Sequence, residues 1–462
     1  MTLPDHLPDS GADLSDTIYA LASGAGRSGV AVIRVSGPKA GAALQSLSRR
    51  DLPKPREAAL VRLRHPETEE ILDDALVLWF RGPASFTGED VAELHVHGGI
   101  AVIEGVLAAL SAMPDLRLAE AGEFTRRAFD NAKLDLTQVE GLADLIEAET
   151  EAQRKQALRQ SEGELGRLYD GWRDQLVRAM AHFEAELDFS DEELPADLHT
   201  AVVAGVRALR DAMAAHMADG RKGERLRAGV RLAIIGPPNA GKSSMMNALA
   251  QREAAIVSDI AGTTRDVVEV HLNLAGYPLL VADTAGLRES GDVIEQEGVR
   301  RARSWAETAD IKLAVFDGRV LPDLDSTTRG LLQSDTLVAI NKADASDRNF
   351  PDNIDGHPVW PLSVKTGQGL DALLKRLGEL VSQHCRTAQD GPAPTRARHR
   401  ESLQRTLDAL DRFLVRDNPA HLGAELEAED LRLAARELGR ITGRVDVEDL
   451  LDVIFRDFCI GK

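Results

Sequence analysis

The stretch GPPNAGKS (residues 236–243) lies between the apolar run VRLAII (residues 230–235) and the segment SMMNAL (residues 244–249). These flanks predict a strand before the glycine-rich stretch and a helix after it. In a loop of this kind, glycines let backbone N–H groups wrap a phosphate, and the helix N-terminus adds positive potential. Lys242 would reach the β- and γ-phosphates, and Ser243 would bind Mg²⁺. The stretch therefore predicts an α/β nucleotide-binding domain around it.

The base can be predicted from the sequence NKAD (residues 341–344). It follows the apolar run LVAI (residues 337–340), which places it at the C-terminal end of a strand, where α/β sheets bind ligands. The Asp344 carboxylate can accept hydrogen bonds from N1–H and the 2-amino group of guanine, whereas adenine offers neither donor. The pattern therefore predicts GTP rather than ATP. The tripeptide SVK (residues 363–365) follows another short strand and is expected to complete the base pocket.

Two shorter motifs lie between the phosphate loop and the base motif. In GTTRD (residues 262–266), Thr264 is a candidate Mg²⁺ ligand in a switch segment. In DTAG (residues 283–286), Asp283 would hold the hydration shell of the metal, and the Gly286 N–H would sense the γ-phosphate. Five elements in this order predict a GTPase. The predicted GTP-binding residues are Asn239, Ala240, Gly241, Lys242, Ser243, Ser244, Ser258, Asp259, Ile260, Ala261, Gly262, Thr263, Thr264, Asp283, Thr284, Ala285, Gly286, Asn341, Lys342, Asp344, Ser363, Val364 and Lys365.

One expected catalytic group is missing from these motifs. Many GTPases carry a glutamine directly after DxxG to orient the attacking water, and here that position is Leu287. Arg265 and Arg288 are candidate arginine fingers, although each taken alone is more typical of an ordinary surface charge. Four nearby acids could orient the water instead, and the residues alone do not choose among Glu289, Asp292, Glu295 and Glu297.

Length and composition limit the class of protein. A chain of 462 residues is too long for one core, so two or three domains are expected. Its two cysteines, Cys385 and Cys459, exclude a disulfide framework and indicate a reducing compartment. No apolar run approaches the roughly 18 residues of a membrane helix, and the chain lacks the early positive charge of a targeting peptide. The prediction is a cytoplasmic protein.

Changes in the sequence pattern predict the domain organisation. Short apolar runs with Gly and Pro punctuation give way to helical periodicity, then to alternating strands and helices, and then to helical periodicity again. The simplest account is a multi-domain α/β and α protein in which a P-loop GTPase domain is inserted into a helical domain. A separate C-terminal helical domain is the alternative. The predicted boundaries are 1–131 for an N-terminal α/β domain, 132–225 and 386–462 for the helical domain, and 226–385 for the GTPase domain.

The charge and the C-terminus leave two questions open. A net charge of −20 argues against a broad surface that coats nucleic acid. A local basic patch stays possible, although a solvated helix face is favoured, at Arg396, Arg398, Arg400, Arg405, Arg412 and Arg416. The terminal FCIGK (residues 458–462) is not a prenylation box, because Gly461 is not aliphatic. The apolar periodicity before it predicts a packed helix that delivers these residues to a defined place.

The wording of these motifs resembles the MnmE (TrmE) family of tRNA-modification GTPases. The resemblance covers nearly the full length, with GPPNAGKSS, IVSDIAGTTRD, DTAGLRE and NKAD in the GTPase domain and FCIGK at the end. It extends to four N-terminal signatures, which are GVAVIRVSG (residues 29–37), FTGEDVAELHVHGG (86–99), GEFTRRAF (122–129) and KLDL (133–136). The family implies an N-terminal folate-binding and dimerisation domain and a helical domain interrupted by the GTPase domain.

The resemblance also implies an answer to the missing glutamine. In this family two GTPase domains meet across a homodimer when GTP is bound, and K⁺ supplies positive charge where an arginine finger would. The K⁺ ligands map onto Asn239, Ser258, Ile260 and Thr263. The water-orienting carboxylate maps onto Glu295, which acts with Lys242 and Thr264 in catalysis, while Ser243 and Thr264 bind Mg²⁺.

For the remaining domains, the resemblance implies one-carbon chemistry on tRNA. The family binds 5-formyl- or 5,10-methylene-tetrahydrofolate and works with the FAD-containing partner MnmG (GidA) in a heterotetramer. Together they place a carboxymethylaminomethyl group on C5 of the wobble uridine, position 34, of certain tRNAs. The folate-binding residues map onto Arg34, Glu93, Lys133 and Lys462, and Cys459 would face the bound pterin with a possible thiol role. A regulatory switch whose N-terminal domain only docks a partner is the competing hypothesis.

Overall fold

The computed structural model describes most of the chain, in two compact units. One unit holds the residues up to Ala143 together with those from Thr442 onward, and the other runs from Asp144 to Ile441. None of the helices in the described ranges is long and apolar enough to cross a membrane. The described residues are 16–188, 198–218, 221–252, 255–256, 269–283, 305, 307–345, 349–386, 391–416, 424–445, 451, 454–455, 458 and 460–461.

The first unit is built on a mixed sheet. Within the described residues it has six strands in the order β3-β4-β5-β2-β1-β6, with β1 and β6 parallel and the other pairs antiparallel. Alternate side chains of the strands point into a core with α1 and α2, while the opposite face carries both polar and apolar side chains. The strands are β1 (Thr17–Leu21), β2 (Ser28–Ser36), β3 (Ala59–Arg64), β4 (Ile71–Phe80), β5 (Val91–Gly98) and β6 (Leu116–Leu118), and the helices are α1 (Ala40–Ser48), α2 (Ile100–Ser111), α3 (Glu123–Asp130) and α4 (Leu136–Glu147).

The end of the chain packs onto this first unit. Leu451, Phe455 and Phe458 are buried together with Leu136 and Val139 of α4. The burial of these apolar residues agrees with the predicted packing of the terminal segment. Most of the predicted helix itself lies outside the described residues.

The second unit contains the predicted nucleotide-binding sheet. In the described residues this sheet has eight strands in the order β13-β14-β12-β11-β7-β10-β9-β8, with parallel pairing from β14 through β10. The central strands read as continuous apolar runs because helices cover both faces of a parallel sheet. The strands are β7 (Val230–Ile235), β8 (Ala255–Ile256), β9 (Glu269–Leu274), β10 (Tyr277–Asp283), β11 (Ile311–Asp317), β12 (Thr336–Asn341), β13 (Asn353–Ile354) and β14 (His357–Pro361).

The helices of the second unit decide how the GTPase domain is connected. Side chains from α6 and α7, before the sheet, share one buried core with side chains from α12 and α13, after it. A separate C-terminal helical domain would need its own core, so the insertion is confirmed. The predicted boundaries 131/132, 225/226 and 385/386 stay predictions. The helices are α5 (Glu151–Ser161), α6 (Glu164–Asp188), α7 (Leu198–Met217), α8 (Lys222–Ala228), α9 (Lys242–Arg252), α10 (Ser326–Arg329), α11 (Leu370–Cys385), α12 (Ala397–Arg416) and α13 (Ala424–Thr442).

The candidate basic patch on α12 is largely neutralised. Arg400 pairs with Glu224 at 2.9 Å, and Arg412 pairs with Asp430 at 2.8 Å. Arg398 donates to the carbonyl oxygen of Ile441 at 3.0 Å. The remaining described pairs are Arg396 with Asp144 and Arg405 with Glu437. These contacts favour the interpretation of a helix face with local ion pairs over a nucleic-acid patch, and the Arg416 side chain lies outside the described residues.

One carboxylate joins both chain crossings of the inserted domain. Asp144 accepts hydrogen bonds from Arg227, just before β7, and from Arg396, just before α12, both at 2.8 Å. Gln153 adds a hydrogen bond from its side-chain amide to the Arg227 carbonyl oxygen at 2.9 Å. The entry and exit segments of the GTPase domain are therefore held to the same part of the helical domain.

A partly buried histidine packs against aromatic residues of the helical domain's core. The His216 ring is 3.2 Å from the Tyr169 hydroxyl and stacks edge-on against Trp172. Burial, together with the nearby His399, lowers the pKa of His216 from 6.5 to about 4. The folded protein thus keeps this imidazole neutral at pH values where the unfolded chain would protonate it.

This difference predicts a loss of stability in acid. Between pH 6.5 and pH 4 the unfolded chain takes up a proton at His216 that the folded chain excludes, so the free energy of unfolding falls as pH falls. By pH 5 we expect His216 to account for a loss of about 2 kcal/mol. The measurement is urea unfolding at pH 7 and pH 5 for the wild type and for His216→Gln, which should remove this part of the loss. His182→Gln, on the exposed side of α6, is the matched control and should retain it.

Candidate functional sites

The phosphate loop between β7 and α9 has a backbone that requires glycine. Gly236 and Gly241 have φ angles of +152° and +101°. A Cβ atom at Gly236 would overlap the Val315 carbonyl oxygen, and one at Gly241 would overlap the side-chain amide of Asn341. The loop therefore curves closely against the neighbouring strands β11 and β12, and its N–H groups stay free of side-chain cover.

The lysine and serine of the loop lie at its junction with α9. Lys242 donates to the carbonyl oxygens of Gly236 at 2.9 Å and Pro237 at 3.1 Å, so its ammonium group lies inside the curve of the loop. Lys242 and Ser243 are the first residues of α9, whose positive N-terminal end faces the loop. This arrangement brings the Lys242 ammonium group and the N-terminal end of α9 together at the loop, which suits a phosphate.

A single buried amide connects the loop with both base motifs. Asn341 is 3% exposed at the end of β12. Its Nδ2 donates to the Ala240 carbonyl oxygen at 2.9 Å, and its Oδ1 accepts from the Val364 N–H at 3.1 Å. NKAD and SVK are thereby assembled beside the phosphate loop, as the sequence predicts.

Lys342 holds the tip of the loop from the other side. Its Nζ donates to the Asn239 carbonyl oxygen at 2.6 Å and to Asp317 at 2.7 Å. Hydrogen bonds from Arg319 and Lys342 hold the pKa of the Asp317 carboxyl well below its usual range. Sequence reasoning missed Asp317 and Arg319. Their position directly after the apolar run of β11 is the signal that could have identified them, since strand ends line this edge of the sheet.

The side chains that would meet the base remain open to solvent. Asp344 is exposed in the short 3₁₀ helix Ala343–Ala345, and Lys365 is also exposed. Ser363 is fully buried, and its Oγ accepts from the Thr366 N–H at 3.2 Å. The base motifs thus combine a buried serine with an exposed carboxylate, which suits an acceptor for the guanine edge.

Several predicted site residues lie outside the described part of the chain. For Asp283 only the backbone is described, at the end of β10, where it pairs with Ile234 of β7. The others are Ser258, Asp259, Ile260, Ala261, Gly262, Thr263, Thr264, Thr284, Ala285, Gly286, Glu295, Cys459 and Lys462, with the alternatives Arg265, Leu287, Arg288, Glu289, Asp292 and Glu297.

Two of the predicted folate residues meet on the outer face of the first unit's sheet. Arg34 of β2 lies directly opposite Glu93 of β5 in the strand register. The Arg34 Nε and Nη2 atoms lie 3.1 and 3.0 Å from the same oxygen, Glu93 Oε1. The second oxygen, Oε2, is 3.5 Å from His95 Nε2. The Arg34 and Glu93 side chains are 21% and 18% exposed, so the pair is partly buried but reachable.

Aromatic rings cover the arginine of this pair. The Arg34 guanidinium is 5.4 Å from the centre of the Phe86 ring and 5.6 Å from that of Phe124. Sequence reasoning missed both rings, although each belongs to one of the N-terminal signatures. Lys133 donates to the Pro83 carbonyl oxygen at 2.9 Å, so it contacts the same β4–β5 loop that carries Phe86.

The terminal segment reaches the same domain. Ile460 forms a β-bridge with Ala121, just before α3. Gly461 has φ of +98°, and a Cβ atom there would overlap the Leu21 carbonyl oxygen. Leu21 follows Ala20, the residue that lies opposite Arg34 in the strand register. The chain end is therefore docked by its backbone beside the strand pair that carries Arg34.

The other cysteine, Cys385, lies in a buried apolar environment. Cys385 is buried at the end of α11, and burial raises the pKa of its thiol to about 12. A thiol in this state is a poor nucleophile near neutral pH. Cys385 therefore acts as a small core residue.

Comparisons with known proteins agree with this geometry. The family model "GTP-binding protein TrmE N-terminus" matches residues 17–133, and the "MnmE helical domain" model matches residues 136–459. A tRNA modification GTPase MnmE from Parvibaculum lavamentivorans is 58% identical, over 97% of this chain and 100% of the relative. The one from Paramagnetospirillum magneticum is 56% identical over the same shares. A mitochondrial 5-taurinomethyluridine-[tRNA] synthase subunit from Homo sapiens is 50% identical, over 98% of this chain and 94% of the relative.

A solved structure was also found, the GTPase domain of the T. maritima FeoB iron transporter. It is 23% identical and covers 34% of this chain and 99% of that chain, with a TM-score of 0.25. A TM-score this low supports no functional conclusion.

The glycine-rich phosphate loop carries its lysine and lies beside the NKAD and SVK motifs. This combination defines a P-loop GTPase domain, which here interrupts a helical domain. The two family models and the full-length relatives then identify the family. The chain belongs to the MnmE (TrmE) family, and it is a GTP hydrolase that acts in tRNA modification.

The exposed carboxylate of Asp344 leads to a prediction about nucleotide choice. In Asp344→Asn the amide can no longer accept from both guanine donors, but its NH₂ group can donate to the 2-carbonyl of xanthine. We expect the affinity for GTP to fall by at least about 10²-fold, while binding of xanthosine triphosphate appears. Competition binding with the two nucleotides measures the change.

The matched control for this variant is Asp352→Asn, an exposed acid in the same domain but away from the base motifs. It should bind GTP like the wild type. If Asp344→Asn kept both its GTP affinity and its discrimination against xanthosine triphosphate, Asp344 would not read the base.

Proposed function

We propose that this GTPase works with an FAD-containing partner of the MnmG (GidA) type to install a carboxymethylaminomethyl group at C5 of the wobble uridine, position 34, of certain tRNAs. The observation that carries the proposal is the covered Arg34–Glu93 pair, which is a second polar site on a unit without the GTP motifs. The names of the relatives support tRNA as the substrate. A chain with only two cysteines suits a reducing compartment. Together with a tRNA substrate, this supports a cytoplasmic location.

The second site suits a tetrahydrofolate. A pterin offers an N–H and NH₂ edge similar to that of guanine. Both described Arg34 contacts go to Glu93 Oε1, so Oε2, which lies 3.5 Å from His95 Nε2, would be the acceptor for such an edge. Arg34 and Lys133 suit the carbonyl groups or the glutamate tail, and Lys462 and Cys459 would be supplied by the docked chain end. When bound, 5-formyl- or 5,10-methylene-tetrahydrofolate would supply the one-carbon unit.

In the GTPase domain, Lys242 would neutralise charge on the β- and γ-phosphates, and Ser243 with Thr264 would hold Mg²⁺. The Asn239 side chain is exposed at the tip of the loop, while its carbonyl is anchored by Lys342. An exposed amide oxygen is a ligand type that K⁺ accepts in place of water. With the carbonyl groups of Ser258, Ile260 and Thr263, Asn239 would hold K⁺, which would add positive charge beside the β–γ bridge. Glu295 would orient the attacking water in place of the missing glutamine.

A largely apolar row on the N-terminal sheet supports a homodimer. Leu60, Leu76 and Val32 lie in one row across the strands, with His95 between Leu76 and Val32. Leu60 is 70% exposed and Leu76 is 41% exposed. Burying such a face against a second copy would remove apolar surface from water in a two-fold interface. The GTPase domains of the two copies would then meet and separate with each cycle of GTP hydrolysis.

The proposed K⁺ site predicts a cation-dependent GTPase. Turnover should be much faster in K⁺ than in Na⁺, since Na⁺ is too small for ligands placed for K⁺. Asn239→Ala should remove most of that difference while GTP affinity stays close to the wild-type value, because Lys242 and the glycines remain. The measurement is steady-state GTP hydrolysis in matched KCl and NaCl, beside nucleotide titration. Equal wild-type rates in the two salts would contradict a K⁺ site.

The proposed folate site predicts a selective loss of affinity. Glu93→Gln retains the size of the side chain but places an NH₂ group where the pterin donors should bind. We expect the Kd for 5-formyl-tetrahydrofolate, measured by calorimetry, to rise by roughly 10- to 100-fold, since a charged acceptor is lost. In cells lacking this protein, the Glu93→Gln gene should restore less of the wobble-uridine modification, measured by mass analysis, than the wild-type gene.

The matched control is Asp74→Asn. Arg62 and Asp74 also form an arginine–carboxylate pair between neighbouring strands of the same sheet, at 2.8 Å, but no contact of that arginine with a ring is found among the described residues. Asp74→Asn should bind folate like the wild type. A wild-type protein that binds no folate would instead favour the competing hypothesis, in which the domain only docks a partner.

A further inference from the structure

A buried arginine lies directly behind the proposed folate site. Arg127 of α3 has a side chain that is 2% exposed. Its Nη2 atom contacts Glu123 at 3.0 Å and also Asp16, and its Nη1 atom contacts Glu89 at 3.2 Å. Three carboxylates thus surround one guanidinium group within the first unit, and one of them belongs to the β4–β5 loop.

Glu89 is the point at which that loop is fastened. Its Oε2 atom accepts from the Ser36 hydroxyl at 2.7 Å, and the same hydroxyl is 2.7 Å from that of Thr87. Asn131, just beyond α3, donates to the Thr87 carbonyl oxygen at 2.7 Å. Contacts from β2 and from the end of α3 therefore converge on residues 87–89 of the loop.

Each of the two fastened elements carries one ring that covers Arg34. Phe86 belongs to the β4–β5 loop, and Phe124 lies one helical turn before Arg127 on α3. The contact between Arg127 and Glu89 is thus the ion pair that joins the two ring-bearing elements. Together with the hydrogen bond from Asn131 to the Thr87 carbonyl oxygen, it links the two elements whose rings lie on the guanidinium group of Arg34.

Stability alone is a weak reason for this arrangement. Moving a guanidinium group and carboxylates out of water costs a desolvation free energy that offsets much of their electrostatic attraction. Apolar side chains of similar size often stabilise a core equally well. A buried cluster in which both Nη atoms of the arginine are paired with carboxylates does, however, favour one geometry, because each lost ion pair leaves a buried charge unpaired. This favours a role in placing the rings.

We propose that Arg127 and Glu89 are positioning residues of the folate pocket. By joining α3 to the β4–β5 loop, they hold Phe124 and Phe86 on Arg34 and so fix the orientation of Arg34 toward Glu93. This inference rests on the proposed folate-binding function. It assigns to the GEFTRRAF and FTGEDVAELHVHGG signatures a shared task in the same pocket.

The test uses Glu89→Gln in the full-length protein. The amide retains the size of the side chain and can still bond to Ser36, while Arg127 keeps Asp16 and Glu123, so the domain should fold. We expect the Kd for 5-formyl-tetrahydrofolate, measured by calorimetry, to rise about tenfold, on the scale of one lost charge-assisted contact. The thermal midpoint is recorded for each variant.

Arg117→Gln is the matched control. Arg117 contacts the same Asp16 and Glu123 as Arg127 does, but no contact with Glu89 is described for it. Its loss should lower the thermal midpoint about as much as Glu89→Gln does and leave folate affinity near the wild-type value. If Arg117→Gln weakened folate binding to the same extent, general destabilisation would explain the effect and the inference would be overturned.

A double-mutant cycle with Phe86→Leu separates positioning from an independent structural role. If Glu89 acts through the loop that carries Phe86, the folate Kd of the double variant should be about that of whichever single variant binds folate more weakly. Additive effects of the two changes would overturn the inference while the proposed function stands. A wild-type protein without folate affinity would overturn both.

Discussion

The buried side-chain amide of Asn341 is the interaction on which the nucleotide site depends. It joins the phosphate loop, 101 positions earlier in the chain, to the SVK segment, 23 positions later. A buried amide is costly unless both of its ends are paired, and here the donor and the acceptor are both used. Any other arrangement of the three segments would leave one of these groups unpaired. The constraint explains why Gly241 cannot carry a side chain and why Lys342 is placed to hold the tip of the loop.

The first unit applies the same principle with charges. Arg34 and Glu93 are 59 positions apart and meet because β2 and β5 pair in one register. A slip of one residue would send both side chains into the opposite face, where α1 and α2 pack. Behind them Arg127 joins α3 to the β4–β5 loop. The proposed pocket is thus built from regular elements and one short loop, which favours a site that is formed before its ligand arrives.

Asp144 also joins remote segments, at the junction between the GTPase domain and the helices. It binds both Arg227, on the way into the sheet, and Arg396, on the way out. An inserted domain needs its two ends close together, and this carboxylate bonds to both. The helices before and after the insertion form one core, so both crossings start from the same packed body.

The local motifs were determined by the sequence alone. GPPNAGKS, NKAD and SVK predict their strand ends, their loop and their ligand because the chemistry is carried by neighbouring residues and by backbone angles that only certain residues adopt. The alternation of strand-rich and helical regions follows in the same way from apolar spacing. Arg34, Glu93 and Lys133 were found through the resemblance to a family, not from spacing, since no local pattern links residues so far apart.

Contacts between segments that lie far apart in the chain were decided only by the tertiary structure. The rings of Phe86 and Phe124 on Arg34, the Asp317–Lys342 pair and the Arg127 cluster each depend on strand register and helix placement, which short-range sequence patterns do not encode. The arginines of α12 illustrate the reverse case, because their sequence spacing suggests a basic patch until acids from other helices are placed beside them. The docking of Gly461 against Leu21 likewise depends on two segments at opposite ends of the chain. The fold brings these two segments together. Their backbones can come this close because no side chain lies between them.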